Sequence, residues 1–107
     1  MPLSKANGTQ VAVISTEHAL ASVTDPGTYI LQVNTANMVY GDTLELRVKV
    51  KTLTGGAEAL YQLGQYANAQ LDPVKVSLPC VSLYSMTCTL KQTAGTGRSF
   101  EWNIVQV

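Results

Sequence analysis

The chain is poor in the residues that carry out chemistry. It has one histidine, two cysteines and no apolar run of the length needed to cross a bilayer. Only 13% of its 107 residues are charged, and seven Lys and Arg balance seven Asp and Glu. A chain without net charge has no field to draw it onto nucleic acid or an anionic membrane, so neither is expected as a partner. The opening "MPLSKANGTQ" has one lysine and no apolar stretch behind it, unlike a secretory signal. The protein is therefore expected to stay in the cytoplasm, where it is made. Cys80 and Cys88 have no histidine or further cysteine beside them to complete a zinc site, and the cytosol opposes a disulfide. Buried free thiols are the expectation.

Catalytic constellations fail in the same way. His18 follows Ser15, Thr16 and Glu17, but adjacent residues on an extended chain point to opposite faces and cannot form a proton relay. A surface histidine is expected. Asp25, Asp42 and Asp72 all fall within turn signals, where a carboxylate bonds nearby backbone N–H groups. A divalent ion would need several carboxylates together. We assign no catalytic, metal-binding or cofactor-binding residue and no cofactor, and expect no enzyme.

One stretch invites a nucleotide reading. In "KQTAGTGRSFEW", residues 91–102, two glycines flank a threonine and precede Arg98. A phosphate-binding glycine loop needs a helix after it whose first N–H groups face the anion, whereas a strand pattern follows Gly97. The glycines are better read as the positive-φ positions of a hairpin connection, with Arg98 exposed at its tip as a contact residue.

What is present is alternation. "DTLELRVKVKTL" sets Leu44, Leu46, Val48 and Val50 against Glu45, Arg47, Lys49 and Lys51, a period of two that makes a strand with one dry face and one wet face. The same period puts Tyr29, Leu31 and Val33 on one side of "TYILQV", and Val74, Val76, Leu78 and Cys80 on one side of "PVKVSLPC". It also aligns Met86, Cys88 and Leu90 in "SMTCTLK" and Phe100, Trp102 and Ile104 in "SFEWNIVQV". Weaker strands are expected at "TQVAVIS" and "HALASVT". In "GAEALYQLGQYANAQ" the composition is helix-forming, yet Gly64 interrupts it and two tyrosines suit a strand, so a strand over 58–66 is favoured over a helix. Turn signals at "TDPG", "YGD", "TGG", "LDP" and "AGTG" separate short alternating runs. The expected fold is all-β: a single antiparallel β-sandwich over residues 9–107, jelly-roll or Greek-key-like. Residues 1–8 carry no core pattern, and are either an extended N-terminal arm lying on a neighbour or a frayed terminus.

The segments "EHALASVTDPGTYILQVNTANMVYGDTLELRVKVKTLTGG", "YANAQLDPVKVSLP" and "LKQTAGTGRSFEWNIVQV" together resemble a family of small structural proteins of tailed bacteriophages. The resemblance runs from about residue 17 to the C-terminus and rests on "YGDTLELRVKVK", the "TGG" turn and "TLKQTAGTGRSFEW". It implies a virion component present in many copies, a capsid decoration or cement protein that binds the major capsid protein at the capsid surface. A tail, neck or adhesion module that binds host-surface carbohydrate is the alternative. Low charge and turn-proximal tyrosines point further to self-association as a trimer or dimer. The expected contact residues are Pro2 and Leu3 in the arm, Tyr40, Tyr61, Tyr66 and Tyr84 near turns, Arg47, Lys49 and Lys51 on one strand face, and Arg98.

Overall fold

Alternation decides the elements, and pairing decides how they wrap. The computed structural model describes residues 3–107, which form nine strands. These are β1 (Leu3–Val11), β2 (Glu17–Val23), β3 (Gly27–Asn34), β4 (Thr43–Lys51), β5 (Glu58–Ala67), β6 (Val74–Val76), β7 (Cys80–Ser82), β8 (Ser85–Ala94) and β9 (Ser99–Gln106). All pairs are antiparallel. One sheet has the order β1-β9-β3-β6, with β7 also paired to β3, and the other has the order β2-β8-β4-β5.

The pairs are nested: β1 with β9, β2 with β8, β3 with β6 and β7, and β4 with β5. A long hairpin rolled up on itself gives this order, which is the jelly roll of two packed sheets. Its sixth arm is broken into β6 and β7. Pro79 has no N–H to give to a ladder, and Ser77–Pro79 leaves the sheet between Val76 and Cys80.

The core lies between the sheets. Tyr29, Leu31 and Val33 of β3, Phe100 and Ile104 of β9, Leu44, Leu46 and Val48 of β4, and Met86, Cys88 and Leu90 of β8 are buried there. These are the residues that the period-two pattern set on the dry faces. Trp102, expected with Phe100 in the core, packs against it but is only half-buried. Opposite it in register stands Gly8, where a Cβ would touch the indole ring at 3.4 Å.

Four expectations are corrected. Residues 3–8 are not an arm: they are the first part of β1, paired with β9 from Leu3 opposite Gln106 onward. Residues 1–2, including Pro2, lie outside the described residues. The strand expected over "TQVAVIS" ends at Val11, and Val13 and Ile14 are exposed. In "PVKVSLPC" the break at Pro79 shifts the parity. Val74 and Val76 register with Asn34 and Gln32 on the outer face and are exposed, Lys75 points inward, Leu78 is exposed, and only Cys80 is buried. His18 is half-buried, and its Nε2 accepts the Val13 N–H at 3.0 Å.

The segment over 58–67 is a strand. Gln62, Gly64 and Tyr66 register with Val48, Leu46 and Leu44, and Tyr61 is the extra residue of a bulge. Gly64 leaves room for the Tyr66 ring, whose Oη would stand 3.0 Å from a Cβ at that position. Pairing along the whole of β4 outweighs the helical propensity of Ala, Glu, Leu and Gln.

Candidate interaction surfaces

The "AGTG" connection, expected to close a hairpin, instead carries the chain from β8 in one sheet to β9 in the other, because β8 pairs with β2 and β4 while β9 pairs with β1 and β3, and it serves as internal scaffolding. Gln92 is fully buried; its side-chain amide donates to Ala94 O and Thr96 O and accepts the Arg98 N–H at 3.0 Å. Asp42, also buried, accepts from Val39 N–H, Thr96 N–H and, at 2.9 Å, Arg98 Nε. Burial pushes the Asp42 carboxyl up, but the Val39, Arg98 and Thr96 donors outweigh it and hold the pKa below the usual carboxylate value. Gly95 has φ +89 because the turn requires it, and a Cβ there would overlap Asp42 Oδ1. Donors that face an anion in a phosphate loop are here turned onto the protein's own carboxylate. Arg98 is thus an ion-pair partner, not an exposed tip, although part of its side chain still reaches solvent.

Charge is concentrated on the outer face of the β2-β8-β4-β5 sheet. Arg47 Nη2 meets Glu45 Oε1 at 3.1 Å, and its Nη1 lies 4.0 Å from Glu17 Oε1. Lys49 Nζ meets Glu17 Oε2 at 2.8 Å. The hydrogen bond from Lys49 is the largest influence lowering the Glu17 pKa, and that from Gln65 does the same for Glu45. Arg47 and Lys49 of the basic stripe are therefore already matched by acids on β2 and β4. Lys51 lies opposite Glu58, whose carboxylate accepts from Ser85 and Thr87.

The outer face of the other sheet is different in kind. Inward residues of β3 and β9 alternate with Thr28, Ile30, Gln32 and Asn34, and with Ser99, Glu101, Asn103 and Val105. β1 adds Ser4, Asn7, Thr9 and Val11 across from them, and β6 adds Val74 and Val76. Glu101 is the single charge at these register positions. The molecule is slab-shaped, 41 × 30 × 19 Å, so this face is broad as well as sparsely charged.

The sheets meet along an open seam between β5 and the β6–β7 segment. Lys75 Nζ stands 5.0 Å from the centre of the Tyr66 ring, Leu78 N–H donates to Gln62 Oε1 at 2.7 Å, and Tyr61 OH donates to Pro79 O at 2.7 Å. At one end of the seam Val50, Lys51, Thr52, Tyr61, Pro79, Val81 and Leu83 line an apolar hollow.

Of the residues expected to make contacts, Tyr40 is the most exposed at 89% and stands in the β3–β4 turn. Tyr61 and Tyr84 are exposed near the apolar end, and Leu3 is exposed at the start of β1. Tyr66 is half-buried beneath Lys75 and is not a free anchor. Exposed apolar residues that sequence reasoning did not single out for contacts include Leu53, Leu71, Leu78, Val81 and Leu83. Only the proline within "SLPCVSLY" signalled that Leu78 leaves the sheet. Among the described residues no group of three or more His, Cys, Asp or Glu is placed to hold a metal ion. The chain matches no family model, and comparisons with curated proteins and with solved structures return no match.

Proposed function

We propose that the protein is a non-enzymatic bacteriophage virion component, a decoration or cement protein seated on the outer surface of the shell formed by the major capsid protein. The observation that carries this reading is the contrast between its two sheet faces. One pairs Arg47 and Lys49 with Glu45 and Glu17, and the other is broad, carries Glu101 as the single charge at its register positions among the described residues, and is rich in Thr, Asn, Gln and Val. Interface cores are depleted of charge, because each buried ion must be desolvated. A slab that lays such a face across a seam between subunits stabilises the shell through buried area and shape, without a reaction. The resemblance to small structural proteins of tailed phages supports the same reading.

Particles assembled without the protein should close, yet burst at lower temperature or internal pressure than complete ones. Asn103→Lys or Gln32→Lys should abolish binding to such particles, and Lys49→Glu on the opposite face should leave it intact. Hundreds of copies per particle are expected. If particles lacking the protein are equally robust but fail to adsorb to the host, the adhesion reading replaces this one.

A further inference from the structure

We propose that β1 is an exchangeable strand: the edge of β9 that it covers is a docking site for β1 of a second copy of this chain. The inference does not depend on the virion reading, because each sheet is complete whether β1 comes from its own chain or from another.

β1 is held by its backbone far more than by its side chains. It registers with β9 from Leu3 opposite Gln106 to Val11 opposite Ser99, and its outer edge is unpaired. The residues that face inward are Ala6, Gly8 and Gln10, opposite Ile104, Trp102 and Phe100. None is a large apolar side chain, so β1 buries little of its own in the core. Its larger apolar residues, Leu3 and Val11, stay 58% and 60% exposed. The ion pair of Lys5 Nζ with Asp25 Oδ2, at 3.0 Å, lies at the surface and adds little to stability.

β9 is the opposite case. Phe100 and Ile104 are fully buried and Trp102 is half-buried, so its edge cannot stand open without wetting apolar side chains. A loosely held strand thus covers an edge that must be covered. The ladder itself selects the occupant: β1 is the sequence that fits this edge, and the β1 of another copy makes the same bonds in the same register. Exchange of an identical element is for this reason a low-cost route to a dimer.

The connection from β1 to β2, residues 12–16, supplies the hinge. Ala12 N–H donates to Arg98 O at 2.9 Å, which extends the ladder, so Ala12 travels with the strand. Beyond it the chain folds back, with Val13 N–H donating to His18 Nε2 at 3.0 Å, Ser15 N–H to Gln92 O at 2.8 Å and Thr16 N–H to Val13 O at 3.1 Å. Val13, Ser15 and Thr16 are exposed, so water can take over these bonds as the hinge straightens. Ser15 has φ +64, a left-handed conformation that a residue with a Cβ adopts at a cost, and straightening relieves it. A short hinge under strain favours exchange of the element it carries.

The test uses full-length Thr9→Cys and Glu101→Cys chains, altered at exposed positions that stand opposite each other in the ladder. The two are mixed in equal amounts at high concentration, held for hours just below the melting temperature, cooled and oxidised. A disulfide between the chains then marks β1 of one seated on β9 of the other. The native cysteines are both buried and do not compete. Leu71→Cys with Glu101→Cys, the first at a fully exposed side chain outside the ladder, measures pairing by collision. Non-reducing electrophoresis should show the Thr9→Cys and Glu101→Cys heterodimer at least about tenfold above that level, because seating the strand raises the effective concentration of the two thiols. Ser15→Gly, at ease with positive φ, should lower the yield several-fold, and Ser15→Pro, which excludes positive φ, should raise it. A yield no higher than that of the collisional pair, or one that neither Ser15 change moves, overturns the proposal.

Discussion

Arg98 donates through Nε to the buried Oδ2 of Asp42 at 2.9 Å, joining two turns that are 56 positions apart in the chain. The pair closes one end of the sandwich. Asp42 holds the β3–β4 turn through Val39 N–H, and Arg98 sits where β8 gives way to β9, so one carboxylate fixes the approach of both connections.

Asp42→Ala should therefore cost about 2–4 kcal/mol of stability, the range for removing one partner from a buried charge and leaving buried donors unmet. Chemical denaturation of the variant against the unaltered protein measures this directly. A loss within about 0.5 kcal/mol, the level of an ordinary surface change, would mean that water replaces the carboxylate without penalty.

Gly95 and Gly41 separate two effects of glycine. Both have positive φ, +89 and +96, but a Cβ at Gly95 would overlap Asp42 whereas one at Gly41 meets nothing within 4 Å. Gly41→Ala should cost about 1 kcal/mol from backbone strain, and Gly95→Ala should exceed it by at least about as much again. Equal losses would show that the β8–β9 connection can shift away from Asp42.

Stability should fall on the acid side. The carboxyls of Asp42, Glu17 and Glu45 are held below their ordinary values in the folded protein. A lowered folded pKa means that the unfolded chain binds protons first. The contribution is thus complete above the unfolded carboxylate range, near pH 4, and is lost as pH falls through the folded values. Melting temperatures should be level from pH 7 to about pH 5 and decline below about pH 4. Asp42→Asn should flatten the decline, while Glu17→Gln, at a partly exposed site, should change it only slightly.

The thiols should be inert while the protein is folded. Burial, with smaller contributions from Cys80 and Glu58, pushes the Cys88 thiol up to about 12, and burial also raises that of Cys80. Alkylation near pH 8 requires thiolate, so neither cysteine should label until denaturant is added, when both should. Labelling in the native state would reveal local opening of β7.

Phe100 and Trp102 should differ in cost despite sharing a face. Phe100→Ala should destabilise by about 3–5 kcal/mol, the range for a fully enclosed aromatic, and Trp102→Ala by less because part of its ring already meets solvent. The reverse order in a denaturation series would place the centre of the core under β1.

Much of the fold was legible because a period of two leaves little choice. Leu44, Leu46 and Val48 have only one face on which to be dry, and the same holds for Tyr29, Leu31 and Val33 and for Met86, Cys88 and Leu90. Legibility failed where a local break resets that period. Pro79 sends Val76 and Cys80 to opposite faces although they are an even number of residues apart, so Val74, Val76 and Leu78, expected on the dry side with Cys80, are exposed. It failed again at residues 3–8, where "LSKANG" has no alternation of its own and is held as a strand by the ladder that β9 offers it.

By itself the sequence determined that this is an all-β chain with dry and wet strand faces, turns at its Gly and Pro signals, and a glycine loop that leads into a strand. These are local properties, set by side-chain period and by the dihedral preferences of single residues. Tertiary structure alone decided the order in which the strands roll up, that Glu17 and Glu45 neutralise Arg47 and Lys49, and that Arg98 turns back to Asp42. It also decided which face is sparsely charged and which side chains stay apolar in solvent. Each of these depends on residues far apart in the chain coming to lie side by side, and a one-residue shift of register would exchange one face for the other.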